Sequence, residues 1–454
     1  MAEKIVIEKI KQLLAENRAE ELEELVGDLH PNDFSEIADE LSPEQITEIF
    51  KHIKDQEKVV DYISELSTDL QTVLLNALGK KQASEILKEM YTDDAADLLG
   101  EITPEESREL LDLLPKEEAQ EIEILMSYEE NTAGSVMNNE FVAVQEYFTA
   151  EEAIEHIRGI SPDAEMIYYV YVLDSRTRLI GVLSLRDLIV ADPHKRVSEI
   201  MEEDVISVLD TEDRETVARI ISDYDLLATP VINEKGKMVG IVTVDDIIDV
   251  LEEEVTEDIH KMVGSVKVHE DKLIKTSTLK IATARLPWLL VCLAGDLISS
   301  SVIQFNSSIL EVALALSFFI PFIMGMGGNV GTQSSTITVR GLATGELRME
   351  EFLKIVWAET KVGIFIGTTV GLLIFIVAYF WQRSYIMSIT IGLSLCITVM
   401  IAAAMGTLLP LVFMRINIDP AIAAGPFITT VVDTASLIIY FSLGIFFFNY
   451  LGNL

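Results

Sequence analysis

Along the first 128 residues apolar positions recur every three or four, as in Phe34, Ile37, Ala38 and Leu41, then Ile46, Ile49, Phe50 and Ile53, then Leu70, Val73, Leu74 and Ala77. That spacing is helical. Ser42, Pro43, Glu44, Gln45 and Thr103, Pro104, Glu105, Glu106 punctuate it, each offering an N-cap hydroxyl, a proline in the first turn and a capping-box partner. Helices of about 10 to 14 residues are expected, stacked as in a short solenoid. From Ser135 to about Glu254 the pattern becomes short β-branched strands alternating with helices, and it occurs twice. Val136 and Met137 open one copy, Ile200 and Met201 the other, and residues 181–189 match residues 240–248 as strand, turn and capped helix. A single charged helix then runs from Asp245 to about Val263. After Arg285 five hydrophobic segments follow, 286–305, 309–330, 360–380, 387–413 and 421–450, each long enough to span a bilayer.

Charge sharpens this division. Residues 286–454 hold eight acids and six bases, so −38 of the total −40 falls on the first 285 residues. Phosphate backbones are bound by clustered Lys and Arg, so this balance excludes nucleic acid as a partner and favours cations. Cys292 and Cys396 both lie in hydrophobic segments, which excludes a disulfide framework or a cysteine zinc cluster. The six histidines show no HExxH spacing, and no enzyme chemistry is expected. Met1–Ile10 lacks a basic region followed by an apolar stretch, so the large acidic part is expected in the cytosol. Arg340, Arg348, Lys354 and Arg415 fall in the expected inner loops and Arg383 in an outer one, which predicts a multi-pass cell-membrane protein with a cytoplasmic N-terminus and an extracytoplasmic C-terminus.

Asp433 is the candidate residue around which function is organised. It stands near the middle of the last segment, where a carboxylate costs about 2.5 to 3.5 kcal/mol and normally faces a watery interior or an ion path. Asp296 in the first segment is a second candidate. The glycine-rich end of the second segment allows close helix approach and backbone carbonyls turned toward a pore. Its Gly325, Gly328 and Asn329, with Thr429 and Asp433, are the expected lining. In the connecting helix Asp246, Asp249 and Glu253 share one stripe, and Glu254, Glu257 and Asp258 another. Like charges one turn apart oppose the helix, and a divalent cation reverses the sign of that term. Oxygen ligands without thiolate or imidazole suit Mg²⁺ or Ca²⁺.

The duplicated stretch resembles tandem CBS domains, in which Arg186 and Asp187 occupy the place that often contacts nucleotide ribose and phosphate. Taken whole, the chain resembles the MgtE family of bacterial magnesium channels. The resemblance is carried by Pro321 with Gly327, Gly328, Asn329, Gly331, Gln333 and Arg340, by the Thr243–Asp246 run continuing to Lys261, and by Asp419 and Pro420 leading to Asp433. It implies a multidomain fold: an all-α acidic superhelical N domain (1–132), two α/β CBS copies (133–198 and 199–244), a connecting plug helix (245–273) and a membrane domain of five helices (274–454). It implies a homodimer in the lipid bilayer that takes up Mg²⁺ past Asp433 and is modulated by ATP. It also implies closure by cytosolic Mg²⁺ bound at Asp93, Asp97, Asp213, Asp225, Asp246, Asp249, Glu254, Glu257, Asp258 and Asp419. Gly425 departs from the family pattern, in which a polar side chain stands before Pro426. The competing expectation is a proton-coupled secondary transporter of divalent cations, with Asp433 carrying the proton.

Overall fold

The computed structural model describes residues 2–160, 166–265 and 278–450. It divides into two compact units, residues 1–251 and 252–454.

The first unit begins with helices α1 (Ala2–Ala15), α2 (Ala19–Gly27), α3 (Pro31–Ala38), α4 (Pro43–Phe50) and α5 (Gln56–Ser64). It continues with α6 (Thr68–Leu78), α7 (Lys80–Glu89), α8 (Thr92–Glu101), α9 (Pro104–Leu111) and α10 (Lys116–Leu125). Both expected capping boxes form. Ser42 and Gln45 close one at the head of α4, and Thr103 and Glu106 close the other at α9. Each satisfies backbone N–H groups that a short helix leaves without partners.

The duplicated modules follow. β1 (Phe141–Gln145), α11 (Ala150–Ile160), β2 (Met166–Leu173), β3 (Leu179–Ser184) and α12 (Leu185–Val190) form the first. β4 (Val208–Leu209), α13 (Arg214–Asp223), β5 (Ala228–Ile232), β6 (Met238–Thr243) and the head of α14 (Val244–Met262) form the second. Each has a three-stranded sheet with its first two strands parallel and its last two antiparallel. The copies interlock. Met137, which opens the first, fills the space over Gly240 in β6, and Met201, which opens the second, fills the space over Gly181 in β3. A Cβ at either glycine would meet those methionines, which accounts for the glycine at the same place in each repeat. The core of the helical stack runs on without a break into the second module, through Met137, Val217, Val242, Ile247 and Val250.

The second unit holds the membrane helices. They are α15 (Thr278–Phe305), the short α16 (Ser307–Val312), α17 (Ile320–Ala343), α18 (Phe352–Gln382), α19 (Tyr385–Arg415) and α20 (Pro426–Tyr450). Five spans, Ile281–Phe305, Leu314–Ala343, Met349–Gln382, Tyr385–Arg415 and Pro420–Asn449, are long and apolar enough to cross a membrane. The second differs from its expected boundaries. The chain breaks near Ala313, and α17 then runs unbroken through the glycine-rich stretch to Ala343, so those carbonyls stay within the helix rather than turning toward a pore. The glycines act through their small size instead. Gly327 faces Ser436, Thr398 and Val432, and Gly406 of α19 lies against the Gly331 carbonyl. On the other face of α19, Gly363, Gly367 and Gly371 of α18 pack onto Met400, Cys396 and Gly392. Close backbone approach replaces the hydrophobic effect as the source of helix association in lipid. The connecting helix ends at Met262, and residues 266–273 of the expected plug segment lie outside the described residues.

Candidate functional site

Asp433 stands in α20 between two other helices. On α17, a Cβ built at Gly328 would lie 3.0 Å from Thr429 Cγ2, a tight approach, and 3.5 Å from Asp433 Oδ1, an ordinary contact, so α17 passes close beside the carboxylate. Hydroxyls line the approach. Thr332 Oγ1 is 3.4 Å from Thr429 Oγ1, and on the side of α15, Ser299 Oγ is 2.9 Å from Thr434 Oγ1. Oδ1 of Asp433 is fully buried and has no hydrogen-bond partner among the described residues. A buried anionic oxygen without a donor is costly, and a cation or its hydration water satisfies it. Of the other expected lining residues, Thr429 is half-buried beside Asp433, whereas Gly325 and Asn329 fall on an exposed stripe of α17 with Gln333 and Thr336. Gly328 lies on the buried face of α17, where it adjoins Thr429 and Asp433.

A second group of charges meets where α14 ends. Lys261 Nζ lies 2.5 Å from Glu257 Oε1 and 2.5 Å from Asp419 Oδ2. Asp419 also caps the turn Pro420–Ala423, accepting from the Ala421 N–H at 2.7 Å. Burial of Lys261 opposes its charge, but its hydrogen bonds with Asp419 and Glu257 outweigh that and raise its pKa. For Asp258 the attraction of Lys261 is outweighed. Burial and then the charge of Asp419 push it up to about 6. Met262 packs on Val339, Ala421 and Ala424, and its carbonyl occupies the space that a side chain at Gly425 would need. Gly425 adopts φ +54°, so this position requires glycine on two counts.

A third acidic group lies within the first unit. Thr243 and Asp246 form a cap at the head of α14 as Ser184 and Asp187 do at α12. The two aspartates diverge in ionisation. Hydrogen bonds from Ser184 hold Asp187 below its usual range, whereas burial, with Asp245 and Asp94 nearby, pushes Asp246 up to about 7. Burial followed by Asp245 also raises Asp94, and burial followed by Asp249 and Asp94 raises Glu65. Asp93, singled out in the sequence, accepts from Asn138 Nδ2 at 2.9 Å, and Asp97 is exposed one turn on. Asp213 caps the start of α13 and Asp225 follows its end, so a helix of 10 residues, about 15 Å long, lies between them. One chain therefore does not bring that pair to a single ion. Asp249 is exposed and Glu254 half-buried. Among the described residues no three His, Cys, Asp or Glu side chains converge as a ready metal site.

The comparisons with known proteins follow the same divisions. A model described as divalent cation transporter matches residues 320–443, one described as the MgtE intracellular N domain matches 29–131, and the CBS domain model matches 133–194 and 197–253. The magnesium transporter MgtE of Bacillus subtilis (strain 168) is 39% identical over 393 residues, covering 87% of this chain and 86% of its own. The chain belongs to the MgtE family. The magnesium transporter MgtE of Thermus thermophilus is 42% identical over 316 residues, 70% of each chain. A crystal structure of the cytosolic domain of the Mg²⁺ channel MgtE in complex with ATP covers 54% of this chain and 99% of that one, at 42% identity and a TM-score of 0.52. A second, the soluble part of a magnesium transporter, covers 56% and 99% at 36% identity and a TM-score of 0.51. Family membership and the five apolar helices make this a multi-pass membrane protein.

Within that MgtE framework, the sequence does not single out Asp94 or Glu65, and Lys261 enters only as the end of the run that begins at Thr243. Lys261 stands four residues after Glu257, a spacing that signals an ion pair on one helix face. Nothing local signals Asp94 or Glu65, because only tertiary packing carries them to the acids of α14.

Proposed function

We propose that this chain forms a Mg²⁺ channel for magnesium uptake, with Asp433 on the permeation path, closed when cytosolic Mg²⁺ rises. The observation that carries the reading is the buried, unpartnered Oδ1 of Asp433 at mid-span among threonine hydroxyls. Mg²⁺ sheds its water reluctantly, so a carboxylate and hydroxyls hold it through that shell and select by charge and size without full dehydration. A homodimer supplies a second Asp433 and covers the exposed polar stripe of Gly325, Asn329, Gln333 and Thr336, which would be unfavourable against lipid.

Closure is assigned to the acidic groups. Without a divalent ion, Asp258 with Asp419, and Asp94 with Asp245 and Asp246, place like charges close together. Mg²⁺ bound among them, with Asp93, Asp97, Asp213, Asp225, Asp249, Glu254 and Glu257, turns that repulsion into cohesion and holds α14 against the turn before α20. Moving a gate from 1:99 to 99:1 takes about 5.5 kcal/mol, which several weak sites share. The distribution of Arg and Lys supports a cytosolic N-terminus and an outer C-terminus in this reading. ATP is proposed as a modulator, because the homologous cytosolic domain was solved with it. The exposed Arg186 guanidinium and the Asp187 carboxylate suit phosphate and ribose hydroxyls, respectively.

Uptake of Mg²⁺ into proteoliposomes at zero pH gradient tests this reading. Flux that persists supports a channel, and flux that stalls supports the proton-coupled alternative. Replacing Asp246, Asp249 and Glu257 by Asn or Gln together is expected to relieve inhibition by Mg²⁺ on the cytosolic side, and unchanged inhibition rejects the gating half.

A further inference from the structure

We infer that Asp296 is a second carboxylate of the permeation path, one that concentrates hydrated divalent cations beside Asp433. The inference rests on the channel reading above and adds a residue to it. Ser299 meets Thr434 and Gly295 faces Thr430, so α15 and α20 run parallel with a constant offset of 135 residues. That register puts Asp296 level with Val431, about 3 Å along the axis from Asp433.

The two acids also turn to the same side. In a parallel pair, the residue after a contact position on one helix and the residue before a contact position on the other point to one flank. Asp296 follows Gly295, and Asp433 precedes Thr434.

Membrane energetics adds a second argument. Asp296 is exposed within a span running from Ile281 to Phe305 and has no hydrogen-bond or ion-pair partner among the described residues. A free carboxylate facing lipid at that depth is unfavourable, so its flank faces water. Asp433, about 3 Å along the axis and turned to that flank, carries a buried Oδ1 that likewise has no hydrogen-bond partner among the described residues. Two carboxylates from different helices suit a doubly charged ion that keeps its hydration shell better than a bare monovalent one. A cleft lined by one sign of charge raises the local concentration of the opposite ion and its rate of entry.

The test measures Mg²⁺ uptake into proteoliposomes against external Mg²⁺ for wild type, Asp296→Asn, Asp296→Glu and Asp433→Asn. Asp296→Asn is expected to raise the half-saturating Mg²⁺ concentration about tenfold, with maximal flux little changed, and Asp296→Glu is expected to restore the wild-type value. A structural role predicts instead loss of maximal flux at unchanged half-saturation, with no rescue by Glu, and that result overturns the inference. An unchanged curve for Asp296→Asn overturns it while leaving the channel reading intact. A wild-type protein that carries no Mg²⁺ overturns both.

Discussion

The ammonium of Lys261 lies 2.5 Å from Oδ2 of Asp419 and 2.5 Å from Oε1 of Glu257, so one side chain ties the end of α14 to the turn that precedes α20. It is a protein-borne cation in a place where two carboxylates and Asp258 would otherwise repel. Lys261→Met is therefore expected to lower the melting temperature in EDTA. A hydrogen bond to a charged group is worth about 1.5 to 3 kcal/mol, and partial exposure reduces it, so a loss of about 3 °C is expected. Added Mg²⁺ should recover more stability in the variant than in wild type. Thermal unfolding in detergent with and without Mg²⁺ checks this, and an equal Mg²⁺ response in both proteins counts against the role assigned to Lys261.

Gly425→Ala places a side chain at φ +54° and against the Met262 carbonyl. The left-handed conformation alone costs about 1 to 2 kcal/mol. Relief comes by moving the end of α14 away from the head of α20, so residual Mg²⁺ flux at saturating cytosolic Mg²⁺ should rise. Flux as low as wild type under those conditions would show that this contact does not help hold the gate shut.

Two glycines one half-turn apart should behave oppositely. A Cβ at Gly327 would sit 2.7 Å from Ser436 Oγ and 2.9 Å from Thr398 Cγ2, whereas at Gly325 nothing lies within 4 Å. Gly327→Ala should force α17 from its neighbours and lower thermal stability, and Gly325→Ala should leave stability unchanged. Melting curves of both variants in the same detergent decide it. Equal melting temperatures would contradict the close crossing.

The first unit should lose stability as pH rises. The pKa of Asp246 lies at about 7 in the folded chain against an ordinary 3.8, so the folded state holds the extra proton between those values. Stability therefore falls as pH climbs from about 4 to about 7 and levels off above. Hydrogen exchange of α8 and α14 peptides in the full chain, corrected for intrinsic rates, should show weaker protection at pH 8 than at pH 6. Asp246→Asn should flatten most of that slope, and a slope that survives the substitution assigns the proton elsewhere.

Much of this architecture is legible in the sequence because its signals are local. Ser42 with Gln45 and Thr103 with Glu106 mark helix starts within four residues, and the repeat of Gly181–Asp187 at Gly240–Asp246 announces a duplicated module. Asp433 stands out because a charge in an apolar run is rare. The unbroken course of α17 was not legible: glycines read equally as chain turns or as contact points, and only the facing side chains of α19 and α20 decide between them. The same holds for the acids. The family resemblance implies ligands at Asp93 and Asp97, and Asn138, 45 residues from Asp93, engages it while Asp94 faces the acids of α14. Partners brought by tertiary packing leave no trace in local periodicity.

The central claim is that a divalent ion passes Asp433, and Mg²⁺ uptake into proteoliposomes by wild type and Asp433→Asn tests it most directly. Asn keeps the size of the side chain and removes its charge. Abolished or strongly reduced Mg²⁺ flux, in a variant whose melting temperature matches wild type, is the predicted result; undiminished flux in that variant would contradict it.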